Sequence, residues 1–155
     1  MTQPLELSVE LDCPVDHAFA TWTERFATWW PPSHTVSGSA AGDVVLEPRV
    51  GGRIFERTPD GGEHEWGEVT AWEPPERLSY LWHLRRDRAD ATDVELRFIP
   101  LGADRCRLDI VHSGWERLGG EADRSRDANH AGWGGLLPHF IAAASNTGPT
   151  TNPTT

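Results

Sequence analysis

Short segments of alternating apolar and polar residues recur along the middle of the chain, and they constrain its fold most. The clearest pair is "TDVELRFI" followed by "RCRLDIVH", with Gly102-Ala103-Asp104 between them. Alternation with a period of two is typical of strands that bury one face. The pattern predicts about six antiparallel strands between residues 43 and 116. The other turn signals are Gly51-Gly52, Asp60-Gly61-Gly62 and Pro74-Pro75.

The segments before these strands predict one strand and two short helices. "LELSVEL" at 5–11 alternates and indicates a strand with one wet face. Val15, Phe19 and Trp22 then share a helical face. A second short helix is expected around Phe26–Trp30, ended by the two prolines that follow it. The small polar residues from 33 to 42 predict a loop.

A long helix is expected from about Ala122 to Ala144, although its sequence is unusual for one. Apolar residues at 133, 136, 137, 140 and 141 follow the spacing of a buried helical face. Gly132, Gly134, Gly135 and Pro138 are all poor helix formers. One interpretation is a helix over a cavity, kinked at Pro138 and able to shift as a lid. The other is a loop at 132–135 followed by a shorter helix from Leu136.

This order of elements predicts an α+β fold, with one amphipathic helix on the dry face of a curved sheet of about seven strands. The 155 residues suffice for one domain with its own core. We expect a single domain over 1–145. "SNTGPTTNPTT" at the C-terminus has low complexity, and residues 146–155 are expected to be a disordered tail.

Composition excludes several classes of partner. The net charge is −10, and the 14 basic residues are all arginine, which excludes Schiff-base catalysis by lysine. An acidic chain without a basic run is a poor candidate for nucleic acid or an anionic membrane. No apolar stretch approaches the ~20 residues of a membrane span. We therefore expect a soluble, cytoplasmic protein, either monomeric or weakly dimeric.

No cofactor or metal is indicated. Seven histidines form no HExxH or His-x-His pair, whereas zinc needs three or four converging ligands. Cys13 and Cys106 make no disulfide framework. Two reduced, buried thiols are the expected arrangement.

Several stretches carry a resemblance to a known superfamily: "FATWW", "EPRVGGRIFER", "EWGEVTAWEPPERLSYLWH" and "HSGWERLGG", followed by "GWGGLLPHF". From about Leu5 to Ala144 the chain resembles the START-like (SRPBCC, Bet-v-1-like) helix-grip superfamily. Within it, the chain is similar to the branch of the heat-shock chaperone ATPase activator (Aha-type) homologues. The resemblance implies a cavity between the long helix and the concave sheet. It also implies that the first strand pairs with the last, which would bring Cys13 close to Cys106.

Tryptophan is the compositional outlier, with eight residues beside one tyrosine and five phenylalanines. So many indoles in a small domain indicate an aromatic core or an aromatic-lined pocket. Strand parity and helix spacing place Trp66, Trp82 and Trp133 toward one interior. Candidate ligand-binding residues are Trp22, Trp30, Phe55, Trp66, Glu68, Tyr80, Trp82, Leu96, Phe98, Leu108, Ile110, His112, Trp115, Trp133, Leu137 and Phe140.

Three positions are candidates for chemistry. Glu68 shares the strand parity of Trp66, and burial would raise its pKa into a range useful for acid–base work, with Arg53 as a partner. Alternatively, Gly67 marks a bulge and Glu68 is exposed or ion-paired. His112 is predicted to face inward, as a proton carrier or as a hydrogen-bonded core histidine. Gly114 is either a structural glycine with positive φ or a sacrificial hydrogen donor toward a bound diradical drug.

Three functions are compatible with this interior. The preferred one is a binding protein for a small hydrophobic, aromatic molecule, such as an antibiotic in self-resistance. The second is an enzyme of the polyketide cyclase or aromatase kind, using Glu68, His112 or Tyr80 as proton carriers. The third is a chaperone cofactor, which would require an exposed apolar patch.

Overall fold

The computed structural model describes residues 3–31, 34–35, 43–58, 60–83 and 87–145. It forms one antiparallel sheet against one long helix, and the predicted α+β helix-grip class is confirmed. The loop predicted at 33–42 lies largely outside the described residues, and so does the tail at 146–155. The strands are β1 (Leu5–Leu11), β2 (Asp43–Leu46), β3 (Arg53–Arg57), β4 (Glu63–Glu73), β5 (Arg77–Trp82), β6 (Thr92–Gly102) and β7 (Arg105–Ser113), and the helices are α1 (Val15–Thr23), α2 (Phe26–Trp29) and α3 (Ala122–Ser145).

The seven strands lie in the order β1-β7-β6-β5-β4-β3-β2. Consecutive strands from β2 to β7 are therefore neighbours, and the first strand pairs with the last, as the helix-grip resemblance implied. The predicted turns at Gly51-Gly52, Asp60-Gly61-Gly62 and Pro74-Pro75 each join two of these strands. A 3₁₀ segment at Trp115–Glu121 leads from β7 into α3.

Alternation along the strands separates a buried inner face from a charged outer face. On β6, the buried Leu96 lies opposite Leu78 of β5 and Ile110 of β7, so one apolar row crosses three strands. The intervening Glu95 and Arg97 form an ion pair on the outer face, with 2.8 Å between Arg97 Nη2 and a Glu95 carboxylate oxygen. This division is the one that the period-two pattern predicts.

α3 is continuous from Ala122 to Ser145, so the predicted loop at 132–135 is wrong. Pro138 lies inside the helix at an exposed position. The predicted buried face is present. Its largest members are Trp133, Leu136, Leu137 and Phe140.

The close neighbours of α3 are not the central strands. Its backbone lies nearest the 3₁₀ segment, α1, α2 and β1. At its first turns, the Arg126 guanidinium donates to the carbonyl oxygens of Gln3 and Pro4 just before β1. Among the described helices, none is both long and apolar enough to cross a lipid bilayer.

Candidate ligand-binding interior

Aromatic rings from the central strands meet at the inner face of the sheet. Trp66 on β4 is fully buried, and its ring centroid lies 5.9 Å from that of Trp82 on β5. Tyr80, two residues before Trp82, follows at 5.7 Å. The ring of Trp30, just after α2, lies 5.3 Å from that of Trp66 and 5.7 Å from that of Trp82. We call these four side chains the sheet-side aromatic group.

A second set of rings belongs to the helices. Trp22 on α1 lies 4.9 Å from Trp29, 4.8 Å from Phe140 and 6.1 Å from Trp133 of α3, centroid to centroid. Trp22 is completely buried. These four side chains form the helix-side aromatic group. Within the described chain, Trp30 joins the two groups by its ring contact with Trp29 at 5.5 Å.

The three indoles predicted to share one interior do not form a single stack. Trp66 and Trp82 are in contact, whereas Trp133 lies with Trp22 and with His112 of β7. The rings that touch Trp66 and Trp82 in the described residues come from Trp30 and β5, not from α3. The rings of the central strands and the rings of α3 thus have different ring neighbours among the described residues.

His112 lies at one end of this interior in a chain of hydrogen bonds. Its Nδ1 accepts from the Trp133 indole at 3.1 Å, so the ring proton must be on Nε2. Nε2 in turn donates to Thr92 Oγ1 at 2.6 Å, and that hydroxyl donates to the Trp82 carbonyl at 3.3 Å. The histidine therefore links α3 to three strands.

This environment keeps His112 neutral. Its side chain is fully buried, and desolvation lowers its pKa from 6.5 to about 3. Both ring nitrogens are already occupied by protein partners. The inward position was predicted, and of the two roles considered, the hydrogen-bonded core histidine matches these contacts.

Tyr80 contributes a buried phenol hydroxyl to the sheet-side aromatic group. Burial raises the pKa of Tyr80 well above its ordinary value, and the Trp22 indole offsets part of that rise. The Trp22 N–H nevertheless makes no hydrogen bond of acceptable geometry. Tyr80 therefore stays protonated at neutral pH.

Trp115 and Gly114 form the junction between β7 and the 3₁₀ segment. Trp115 packs 4.3 Å from the His112 ring and donates its indole N–H to the His112 carbonyl at 2.9 Å. Gly114 has φ of +86°, as its structural interpretation predicted. A side chain there would also come within 2.8 Å of Arg117, which is ion-paired with Asp93.

The Glu68 carboxylate lies outside the aromatic interior. Phe55 pairs with Glu65 and Ile54 with Gly67, so Trp66 is an extra residue between them and reverses the parity. Glu68 binds Arg88 at 2.5 Å. The expectation that Arg53 partners Glu68 is wrong, because its guanidinium binds Glu63 at 3.1 Å instead. The bulge and ion-pair alternative is the one observed.

Phe55 lies on the opposite face from the aromatic groups. It is buried, but it stands outside the central core cluster. The guanidinium carbons of Arg53 and Arg57 lie 4.2 Å and 5.4 Å from its ring centroid, and both arginines are substantially exposed. Phe55 is therefore separated from the other predicted ligand-binding residues.

The remaining predicted residues are placed in the core. They are aliphatic or aromatic side chains of β6, β7 and α3 that continue the inner face away from the two aromatic groups. All are nearly inaccessible to solvent, namely Leu96, Phe98, Leu108, Ile110 and Leu137.

Two buried polar residues of the described strands were not predicted. Thr92 shares the parity of Val94 and Leu96, so the alternating pattern contained a signal for it. Glu56 shares the parity of Ile54 on β3 and is completely buried. Neither the pattern nor the composition separates such a buried carboxylate from an exposed one.

The two cysteines are free and buried at the β1–β7 end of the core. Leu11 pairs with Cys106, which brings the nearby Cys13 alongside it, as expected. The two thiols interact, and burial raises the pKa of Cys13 to about 12 and also that of Cys106. No metal-binding group of three or more His, Cys, Asp or Glu side chains occurs among the described residues.

Several solved structures share this architecture. An anthrahydroquino-γ-pyrone synthase, Txn09, is 29% identical with a TM-score of 0.62 over 92% of this chain and 97% of its own. The self-sacrificing resistance protein CalC from Micromonospora echinospora is 24% identical, with a TM-score of 0.69 over 96% and 97%. DynU16, from the dynemicin biosynthetic locus, is 20% identical with a TM-score of 0.66, over 100% of this chain and 52% of its own.

The last two likenesses show the fold alone. No curated protein sequence matches the chain significantly. A family model does, and it covers residues 12–145, which include α1, the sheet from β2 to β7 and the whole of α3. The chain therefore belongs to the family described as Activator of Hsp90 ATPase homolog 1-like protein.

Proposed function

We propose that this protein binds a small, flat, hydrophobic molecule between α3 and the concave face of the sheet. One observation carries the proposal: α3 approaches β1 and the short helices closely, while the central strands place Trp66, Tyr80 and Trp82 on the inner face of the sheet, where their ring contacts among the described residues come from Trp30 and not from α3. Binding sites for small molecules are concave and mostly apolar, with few polar groups. An aromatic surface of this kind suits an aromatic guest, because offset rings attract each other beyond simple area burial.

The structural relatives support a natural product as the ligand. One is named as a synthase of an anthrahydroquino-γ-pyrone, another as a self-sacrificing resistance protein, and a third comes from an antibiotic biosynthetic locus. We propose that this chain sequesters an aromatic antibiotic or a related polyketide. Sequestration requires affinity without chemistry, which matches an interior whose His112 is neutral and fully hydrogen-bonded.

The expected affinity is modest. A guest that buries about 300 Å² of apolar surface gains on the order of 7 kcal/mol at ~25 cal/mol per Å². The loss of translational and rotational freedom offsets part of this gain. We therefore expect dissociation constants in the micromolar range for simple polycyclic aromatics.

The test is a fluorescence titration with a tricyclic aromatic, monitored by quenching of the intrinsic tryptophan emission. Trp82→Leu should weaken binding about tenfold, because it removes one ring of the aromatic surface that is proposed to contact the guest. That ring lies beside Trp30, Trp66 and Tyr80. Phe55→Leu is the matched control, since Phe55 is equally aromatic but lies under Arg53 and Arg57. Equal affinity of wild type and Trp82→Leu, with both folded, would place binding elsewhere.

Hydrogen donation by Gly114 is the finer hypothesis within self-resistance. In that step the Cα–H bond of the glycine breaks and a new C–H bond forms on the drug's aryl radical, leaving the radical on the protein. Protein labelled with deuterium at glycine Cα should then transfer deuterium to a cycloaromatised enediyne. A product free of deuterium would leave only the structural role given by the positive φ.

The enzymatic alternative draws less support from the geometry. Of its three proton carriers, Glu68 is ion-paired outside the interior and His112 has both nitrogens occupied. The chaperone-cofactor alternative needs an exposed apolar patch. The large exposed hydrophobic residues among those described are Val50, in the turn before β3, and Leu101, near the end of β6.

A further inference from the structure

Two indole N–H groups in the interior have no acceptor. Among the described residues, Trp22 Nε1 and Trp66 Nε1 are buried and make no hydrogen bond. Four other indoles have partners: Trp29 donates to the Thr21 carbonyl, Trp30 to His34, Trp115 to the His112 carbonyl and Trp133 to His112 Nδ1. Buried donors are nearly always paired in folded proteins, so an orphan needs an explanation.

The third unpaired nitrogen of the described residues, His17 Nε2, has a simpler explanation. An imidazole can place its proton on the other nitrogen, so an unpaired Nε2 need not be a donor. An indole has no such freedom, because its nitrogen always carries the hydrogen. The two tryptophans are therefore the informative cases.

Of the two tryptophans, Trp66 gives the stronger indication of a ligand. The Trp22 indole influences the hydroxyl of Tyr80, so a small adjustment would supply it with an acceptor within the protein. Trp66 is the bulged residue of β4, and its ring is held between those of Trp30 and Trp82. A bulge is a common device for aiming one side chain independently of its strand.

Resting on the proposed function, we infer that the ligand is an uncharged planar polycycle bearing a carbonyl oxygen, and that this oxygen accepts the Trp66 Nε1 hydrogen. The indole can only donate, so the ligand must supply the acceptor. A quinone, pyrone or ketone oxygen in the plane of a fused ring system meets this need while its faces contact the sheet-side aromatic group. An anionic ligand is disfavoured, because no arginine among the described residues is buried and His112 is neutral.

The experiment compares two probes of the same outline, 9-fluorenone and fluorene, which differ by one carbonyl oxygen. Wild-type protein should bind fluorenone about tenfold more tightly than fluorene, as judged by tryptophan quenching. Trp66→Phe keeps an aromatic ring but removes the donor, so the ratio of the two affinities should fall to within about twofold, while the loss of ring area weakens both probes alike. Trp29→Phe is the control, because its N–H already donates to Thr21, and it should keep the preference.

A second measurement does not depend on a folded variant. In ¹H–¹⁵N spectra of wild-type protein, the Trp66 indole resonance should move downfield with fluorenone and stay nearly unchanged with fluorene. Equal affinity for both probes, or a preference that survives in Trp66→Phe, would overturn this inference while ligand binding itself stands. Failure of both probes to bind at their solubility limits would overturn the proposed function and this inference together.

Discussion

At the scale of single residues, burial of His112 makes the stability of the folded protein depend on pH. Its pKa is about 3 in the folded protein but close to 6.5 in an unfolded chain. Above pH 6.5 the His112 ring is neutral in both the folded and the unfolded protein, so it adds no pH dependence to the free energy of unfolding. Between about pH 6.5 and 3, the unfolded chain takes up a proton that the folded protein excludes, so the free energy of unfolding falls as the pH falls. The slope approaches ~1.4 kcal/mol per pH unit.

The matched variant is His112→Gln, which has no titrating ring. We expect wild type to be more stable than the variant at pH 7, and the difference to narrow as the pH falls to 5. Urea unfolding at both pH values measures the difference in free energy of unfolding between wild type and variant. All other titrating groups are common to the two proteins, so their contributions cancel in this difference. A difference that stays constant would contradict a neutral, buried His112.

Gly114 is required by its conformation and by its surroundings. Gly114→Ala should destabilise the protein by about 2–3 kcal/mol, since alanine is strained at positive φ and its methyl group would press on Arg117 and Asp93. Gly51→Ala is the control, because Gly51 has φ of +83° with no atom in reach of a new methyl group. It should cost about 1 kcal/mol by thermal unfolding. Equal losses would show that contacts at Gly114 contribute nothing.

At the scale of secondary structure, α3 contains glycines that its packing does not need. A methyl group at Gly134 meets open space, and one at Gly135 would touch the His34 ring at an ordinary 3.5 Å. Gly134→Ala should therefore stabilise the protein by about 1 kcal/mol in urea unfolding, because alanine is the better helix former. Ala142→Gly, at an exposed position of the same helix, should cost a similar amount. A loss of stability in Gly134→Ala would mean that this segment needs its glycine.

Elements that depend on one local rule were predicted well. β1 was expected at 5–11 and is observed at Leu5–Leu11, because alternation alone defines it. α3 was expected only as one of two alternatives, because glycine and proline oppose a helix while the apolar spacing favours it. Burial of Trp133, Leu137 and Phe140 decided between them.

Counting residues through an irregularity could not decide between the alternatives for Glu68. The parity of Glu68 was counted from Trp66, and the bulge between them reverses it. Phe55 was predicted as a ligand-binding residue, and aromatic character alone does not distinguish the two faces of a sheet when arginines cover the outer one. Hydrogen bonds such as those of His112 join β6, β7 and α3, and no short-range pattern encodes them.

At the scale of the whole molecule, the domain is predicted to end with α3. Ala144 is fully buried near the end of the helix, whereas residues 146–155 have a low-complexity sequence. A chain ending at Ser145 should have an unchanged free energy of unfolding and unchanged affinity for the fluorescence probe. A chain ending at residue 139 is the control and should be strongly destabilised, because it lacks Phe140 in contact with Trp22 and Trp29. A loss of stability on removing 146–155 would show that the tail packs against the domain.

The sheet described above does not close, and this has a consequence for colloidal behaviour. In the described chain, β1 pairs only with β7 and β2 only with β3, so each has one edge whose backbone groups have no strand partner. Such edges are templates for intermolecular strand addition. At neutral pH, mutual repulsion between molecules of net charge −10 opposes that growth. Near the isoelectric point of about 5.0 the repulsion disappears, so fibrous precipitation should begin at these two edges.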